Sequence, residues 1–331
     1  MNRSEKEAAL VRLGQYLASS NPALEAVKAQ AFQHNGWFIP AFINKSLDNI
    51  CQHYLSPAAL HQWLEQYPAA APAAPKTIGI VTAGNIPLVG FHDWLCGFVS
   101  GHQVKLKLSG KDEILMKHIL GEMSSWYPEI AGQTVVMDIL KDCDAYIATG
   151  SNNSARYFHY YFAKYPHIIR RNRTSIAVLT GQESRDELLA LANDVMLYFG
   201  LGCRNVTKIL VPAGYDFTPL LDALKHYDYL MDFHKYKNNY DYNLALLLLN
   251  SSTYLTNGSI LLREEESLFS PISVLHYGYY EDAAALQKQL TGNEDLQCVV
   301  GQQYIPLGQA QQPSLTDYAD GVDTLQFMLS L

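Results

Sequence analysis

The chain has 331 residues, 48% of them hydrophobic and 17% charged, which excludes a disordered protein and allows a substantial core in two domains. A formal net charge of −8 with no long basic run argues against a nucleic-acid partner. The first eight residues are polar and charged, unlike a signal peptide, and no 18-residue apolar run suggests a membrane span, so a cytoplasmic protein is expected.

Helical patterns cover 5–17 and 22–35, the second opened by Asn21-Pro22 as a cap followed by proline at the first helical position. Two more cover 46–54 and 57–67, and Trp37 and Phe38, ahead of them, are candidates for a substrate entrance. A proline-alanine stretch over 68–75 marks a domain boundary. After it, short apolar strands alternate with helices: a strand at 77–82, a helix at 88–100, a strand at 102–108, a helix to Trp126, then strands at 134–139 and 144–149 and a helix at 152–163. A strand at 174–180, a helix at 184–199 and a strand at 206–211 follow. Further on come a helix at 219–226, a strand at 243–250, strands near 259–262 and 272–279, a helix at 281–290 and a last strand at 297–300. Such alternation implies an open, mainly parallel α/β sheet, with ligands at the carboxyl ends of its strands.

Five cysteines (Cys51, Cys96, Cys143, Cys203 and Cys298) are odd in number and lack metal-ligand spacing, so free thiols are expected. Cys203 alone lies in a glycine turn between a helix and a strand, next to Arg204. An ordinary thiol is only ~3% ionised at pH 7, and a depression of about two pKa units would make it a competent nucleophile. The alternative is a small buried hydrophobe. Asn85, in the turn Gly84-Asn85-Ile86-Pro87, can act as an oxyanion donor or simply as a turn asparagine. Lys105 and Lys107 alternate on a strand, with Ser109-Gly110-Lys111 beyond it; they suit a nucleotide ribose or phosphate, or solvent. Thr149-Gly150-Ser151 ends a strand and opens a helix, a place for a pyrophosphate. Neither Gly-x-Gly-x-x-Gly nor Gly-x-Ser-x-Gly occurs, and the histidines show no metal spacing. Tyrosines cluster over 157–165 and 236–242, where they can line an acyl groove or pack.

Taken in chain order, these segments resemble the aldehyde dehydrogenase superfamily. Gly84-Asn85-Ile86-Pro87 is similar to its Trp-Asn-x-Pro turn, 104–109 to its Val-x-Leu-Lys-Pro-Ser strand, Ala148-Thr149-Gly150-Ser151 to its Phe-Thr-Gly-Ser turn, Gly202-Cys203 to its Gly-Gln-x-Cys nucleophile, and 266–271 to Glu-Glu-Ile-Phe-Gly-Pro. The resemblance spans roughly 75–300. It implies an aldehyde-dehydrogenase-like α/β fold with a helical N-terminal region over 1–70, a nicotinamide-dinucleotide-binding domain over 76–175 and a catalytic domain over 176–331. It further implies Cys203 as nucleophile with Asn85 at the oxyanion, and Lys107, Ser109, Lys111, Thr149, Gly150, Ser151, Glu266 and Phe269 as cofactor contacts. Where the superfamily carries its hydrolytic glutamate, this chain has Ile169-Arg170-Arg171-Asn172-Arg173, with no acid. That departure matches the acyl-CoA reductase branch, in particular the long-chain acyl-CoA reductases of bacterial luminescence systems, to which 317–324 is also similar. Ser267 stands where the superfamily places its nicotinamide-ribose glutamate, one residue after Glu266. The resemblance therefore implies a cytoplasmic reductase converting fatty acyl-CoA to aldehyde through a cysteine thioester. NADPH is expected over NADH, because Gly110 and Lys111 replace an acidic position. A homo-oligomer is compatible with this reading. The alternatives are a semialdehyde dehydrogenase or acyl-phosphate reductase, or an acyl-transferring or interaction protein without redox activity.

Overall fold

Side-chain caps set the helix starts in the computed structural model, which describes residues 1–68, 72 and 74–331. Positions 69–71 and 73 of the expected proline-alanine linker lie outside the described residues. Helix α1 (Arg3–Leu17) opens on a reciprocal pair, Asn2 accepting from Glu5 N and Glu5 from Asn2 N. Helix α2 (Pro22–His34) starts at Asn21, whose Oδ1 accepts from Ala23 N at 2.8 Å. The helix expected at 46–54 is the tail of a longer one: α3 (Pro40–Asn49) runs on into a π-helical turn at Ile50–Tyr54. Helix α4 (Pro57–Leu64) is capped by Ser56.

The first sheet is built from β1 (Thr77–Val81), β2 (Gln103–Lys107), β3 (Thr134–Val136), β4 (Ala145–Thr149) and β5 (His167–Arg170). Between them run α5 (Phe91–Ser100), α6 (Ile114–Trp126), α7 (Ile130–Gln133) and α8 (Asn152–Phe162). Strand order is β3-β2-β1-β4-β5 and every pairing is parallel. The chain order reverses between β1 and β4, the place where open sheets of this kind bind ligands at their carboxyl ends.

The second sheet has the order β11-β6-β7-β10-β9-β8, parallel throughout except for β8 against β9. Its strands are β6 (Thr174–Val178), β7 (Val206–Pro212), β8 (Leu255–Thr256), β9 (Leu261–Glu264), β10 (Val274–Tyr280) and β11 (Leu296–Gly301). Its helices are α9 (Arg185–Met196), α10 (Thr218–Leu224), α11 (His234–Leu249) and α12 (Ala283–Leu290); α13 (Thr324–Leu329) closes the chain. The strand expected at 243–250 is instead the second half of α11 and its C-cap. Its apolar run is leucine rather than β-branched, and Tyr236, Tyr240, Asn243 and Leu247 fall at helical spacing on one buried face.

Two compact units result, one of Met1–Asn172 with Pro313–Leu331 and one of Arg173–Gln312. The N-terminal helices are therefore not a separate region, and the last 19 residues do not belong with the second unit. The reason is packing: Leu10, Leu13, Leu47 and Trp63 join the same buried cluster as Ile78, Ile80, Trp94, Leu325 and Met328. Polar locks tie the C-terminal segment to this core. Trp63 Nε1 donates to Tyr318 OH at 2.8 Å, and Tyr67 OH to Asp323 at 2.8 Å. Phe38, at 1% exposure, is part of the same core and lines no entrance. Among the described residues, no helix is long and apolar enough to cross a membrane.

Candidate active site

In the second unit the site begins where α9 breaks. Tyr198 (φ 55°), Phe199 (φ 57°) and Gly200 (φ 74°) are three successive left-handed residues, a conformation that costs non-glycine side chains on the order of 1–2 kcal/mol each. Burial offsets that cost. Phe199 is 2% exposed, with its ring centroid 5.7 Å from those of both Phe233 and Tyr236. The reversal delivers the chain into the Cys203 turn.

Asn205 fixes that turn. Fully buried, it accepts Gly202 N–H at 2.7 Å through Oδ1 and donates Nδ2 to the carbonyls of Asp194 (3.0 Å), Val195 (3.3 Å) and Leu197 (2.8 Å), the open end of α9. On the next strand, buried Ser175 donates Oγ to the Cys203 carbonyl at 3.1 Å and also meets Cys298 Sγ at 3.1 Å. Arg204 Nη1 donates to the Ala310 carbonyl at 3.3 Å, so that guanidinium is engaged with backbone. Cys203 itself is half-buried. Burial pushes the Cys96 and Cys143 thiols up, and pushes that of Cys51 up to about 11.

The crossover from β9 to β10 carries Glu266 and Phe269. Three successive carbonyls are pinned: Glu266 O by Lys208 Nζ (2.8 Å), Ser267 O by His276 Nδ1 (2.9 Å) and Leu268 O by Thr207 Oγ1 (2.6 Å). Desolvation lowers the pKa of Lys208 and of His276. The Glu266 side chain is exposed, as is Phe269. Cys203 precedes the first residue of β7, and Ser175 is the second of β6. The second unit thus places Cys203 and Ser175 at the amino ends of their strands, not at the carboxyl ends expected for a parallel sheet, whereas Glu266 follows the carboxyl end of β9.

In the first unit the candidates lie at the carboxyl ends of the strands. The loops after β1, β2 and β4 leave the carboxyl edge of the sheet and carry Asn85, then Ser109 and Lys111, then Gly150 and Ser151; Lys107 and Thr149 are the terminal strand residues. The first two loops touch: a Cβ added to Gly84 would come within 2.4 Å of Ser109 Oγ, and Ser109 N donates to Thr82 Oγ1 at 3.3 Å. Gly90 is equally constrained, its added Cβ meeting Thr82 Cγ2 at 2.3 Å. Helix α2 braces the second loop, with His34 Nε2 on Gly110 O at 2.6 Å and Asn35 Nδ2 on Lys111 O at 3.2 Å. Behind it, buried Asp112 accepts the backbone N–H groups of Leu88 and Val89, on the same turn as Asn85. Ser46 Oγ donates to Pro87 O at 2.8 Å.

Lys107 Nζ and Lys105 Nζ both donate to backbone carbonyls, of Asp138 and of Lys141, so their ammonium groups are committed to the sheet edge. Gly150 N–H bonds the Arg170 carbonyl at 3.3 Å, which leaves the Ser151 hydroxyl and the first-turn amides of α8 as donors there. An added Cβ on Gly150 would fall 2.8 Å from Ser154 and 2.9 Å from Phe158, so the backbone runs close against α8. Arg170, from the segment that lacks the superfamily's acid, is buried and points into the core: it pairs with Asp93 at 2.5 Å and donates to Thr324 Oγ1 at 2.8 Å. Sequence reasoning passed over Asn205, Ser175, Asp194 and Asp112. Only Asn205 left a trace, as a polar residue inside a glycine turn.

A parallel five-stranded sheet with helices, followed by a mostly parallel six-stranded one, makes this an α/β protein of the aldehyde dehydrogenase fold. Aldehyde dehydrogenase AldA of P. syringae, an indole-3-acetaldehyde dehydrogenase solved with NAD+ and IAA, matches with a TM-score of 0.66 at 12% identity, over 91% of this chain and 72% of that one. KauB of Pseudomonas aeruginosa matches at 0.63 and 14% identity, over 91% and 72%. An NAD-dependent benzaldehyde dehydrogenase of Corynebacterium glutamicum matches at 0.64 and 11% identity, over 91% and 76%. No curated protein matches the chain. Residues 5–219 match the acyl-CoA reductase (LuxC) family, and the chain belongs to that family. It is an oxidoreductase enzyme of the acyl-CoA reductase kind.

Proposed function

We propose that the chain reduces a fatty acyl-CoA to the aldehyde through an acyl thioester on Cys203. The observation that carries this reading is the turn itself: a half-exposed cysteine whose flanking residues are fixed by Asn205 and Arg204. The Cys203 thiolate attacks the thioester carbonyl carbon, and the Asn85 side-chain amide and the Cys203 N–H stabilise the oxyanion. Collapse breaks the bond to the CoA sulfur, which leaves as a thiol after protonation. Reduction of the acyl group breaks its bond to Sγ, releasing aldehyde and restoring the thiolate. With Arg170 turned into the core against Asp93 and no acid among residues 169–173, nothing on that segment activates water, and this favours persistence of the thioester.

A nicotinamide dinucleotide supplies the hydride when bound. The first unit fits such a group: Gly84 and Gly150 bring backbone against Ser109 and α8 where a side chain would obstruct, and the α8 N-terminus with Ser151 suits a pyrophosphate. Ser109 and Lys111 would hold the adenosine ribose, Glu266 and Phe269 the nicotinamide side. NADPH is the preferred form in this reading, because Gly110 has open space around it and Lys111 is exposed, whereas Lys107 is already occupied. Five free thiols support a reducing, cytoplasmic setting, and exposed Leu248 and Leu249 at the end of α11 support self-association. The test is incubation with acyl-CoA and no reductant, read by intact mass. An acyl adduct on Cys203 is expected; rapid release of free fatty acid would overturn the mechanism.

A further inference from the structure

Asp194 is the last acidic group before the nucleophile turn, fully buried on α9, and the reaction as drawn does not use it. Its two oxygens take separate backbone donors from the far end of the unit, Gly308 N–H on Oδ2 at 2.6 Å and Ala310 N–H on Oδ1 at 3.0 Å. Burial pushes the carboxyl up to about 7, despite those two bonds. The 308–310 segment is held tightly against α9. Gly308 has φ +86°, and a Cβ there would meet the Ala190 Cβ at 2.8 Å.

The segment then reaches the nucleophile turn. The Ala310 carbonyl accepts Arg204 Nη1 at 3.3 Å, and Asn205 closes the circuit by donating to the Asp194 carbonyl at 3.0 Å. Cys203 lies within this ring: the residue after it is tied to Ala310, and Gly202 before it is tied to Asn205. Two residues beyond, at Gln312, the second unit ends. We infer that Asp194 is a positioning residue, clamping the 308–310 segment on the Arg204 side of the nucleophile turn so that the Cys203 thiol keeps its attack direction. The inference rests on the reading of Cys203 as nucleophile. A displacement of about 1 Å at a reacting atom costs as much as ~100-fold in rate. The clamp therefore acts on the acylation step and not on binding.

The experiment uses the full chain and two readouts: acylation of Cys203 by acyl-CoA, and alkylation of Cys203 by iodoacetamide, which assumes nothing about the reaction. Asp194→Ala should slow acylation about 10- to 100-fold with the KM for acyl-CoA nearly unchanged. Asp194→Asn, which keeps an acceptor oxygen, should recover most of the rate. Gly308→Ala should give the same loss by lifting the segment, and the double variant should be no slower than either single one, because both break one device. Should Asp194→Ala fail to fold, the asparagine and Gly308→Ala variants carry the test. Wild-type acylation in Gly308→Ala or in folded Asp194→Ala, or losses that multiply in the double variant, would overturn the clamp. If the reading of Cys203 is what fails, wild-type protein forms no acyl adduct; the clamp then stands or falls on whether Asp194→Ala and Gly308→Ala alter the alkylation rate together.

Discussion

The Cys203 turn and the carboxyl-edge loops of the first sheet solve different placement problems. Four side-chain hydrogen bonds from Asn205, together with Ser175 and Arg204, surround the turn. The loops instead rely on missing side chains: Gly84, Gly90 and Gly150 let backbone lie where a Cβ would collide. In the proposed reaction a nucleophile must point one way, which suits a turn over-determined by directional bonds. A dinucleotide would need clearance along its length, which suits loops shaped by close packing and by what they leave open. Mutations should accordingly change rate in the first region and cofactor affinity or choice in the second.

The strongest break of that contrast is Cys203→Ala, which should lower turnover by at least about 1,000-fold, since removing a catalytic nucleophile commonly costs more than that. Cys51→Ala, Cys96→Ala and Cys298→Ala should keep activity. Steady-state rates on the four variants check this, and a few per cent residual activity in Cys203→Ala would end the assignment. Next is Asn85→Ala. Although it belongs to the loop region, it should behave like a residue of the turn, lowering kcat about 100- to 1,000-fold with little effect on cofactor KM. A variant that loses cofactor affinity instead would make Asn85 part of the cofactor loops.

A smaller effect sharpens the other side of the comparison. Gly110 has nothing within 4 Å of an added Cβ, so Gly110→Glu should be accommodated without strain. A carboxylate there repels a 2′-phosphate, as does Lys111→Glu. Each should move the ratio of kcat/KM for NADPH over NADH toward NADH by about 5- to 150-fold, the equivalent of 1–3 kcal/mol. A wild-type preference for NADH, measured the same way, would sink the proposed cofactor choice.

Much of this was legible in the sequence where a local pattern has one structural outcome. The cap at Asn21-Pro22, the strands at 77–81 and 206–212 and the glycine turn at Cys203 are all local. What escaped depends on distant partners. Residues 243–250 read as a strand because a short apolar run has no helical signature until Tyr236 and Tyr240 are known to share its buried face. The closing segment 313–331 joined the wrong domain because its contacts, Tyr318 to Trp63 and Thr324 to Arg170, span 255 and 154 residues. Asp194 and Asp112 look like ordinary surface acids in the sequence; only folding shows that both are buried and bonded to backbone.

The smallest effect tests whether the loop region also contains a directional element. Asp112 is 5% exposed and accepts N–H groups from Leu88 and Val89, the first of which is left-handed at φ 57°. Burial pushes its carboxyl up to about 8, despite those two bonds. In the unfolded chain the same group ionises near its ordinary value of about 4. Between about pH 4 and 8 the folded state therefore holds a proton that the unfolded state has lost, so this group's contribution to stability falls as pH rises through that window and levels off above about 8. Asp112→Asn keeps an acceptor oxygen for the turn but cannot titrate. Its melting temperature should fall less than that of the wild type from pH 6 to 9, by a few degrees at about 2–4 °C per kcal/mol for a unit of this size. The two proteins should melt closest together below about pH 4, where Asp112 is protonated in the folded and unfolded states alike, and diverge as pH rises. Parallel curves across the range would show that Asp112 is ionised throughout and that the Asn85 turn is braced by a carboxylate rather than by a neutral acid.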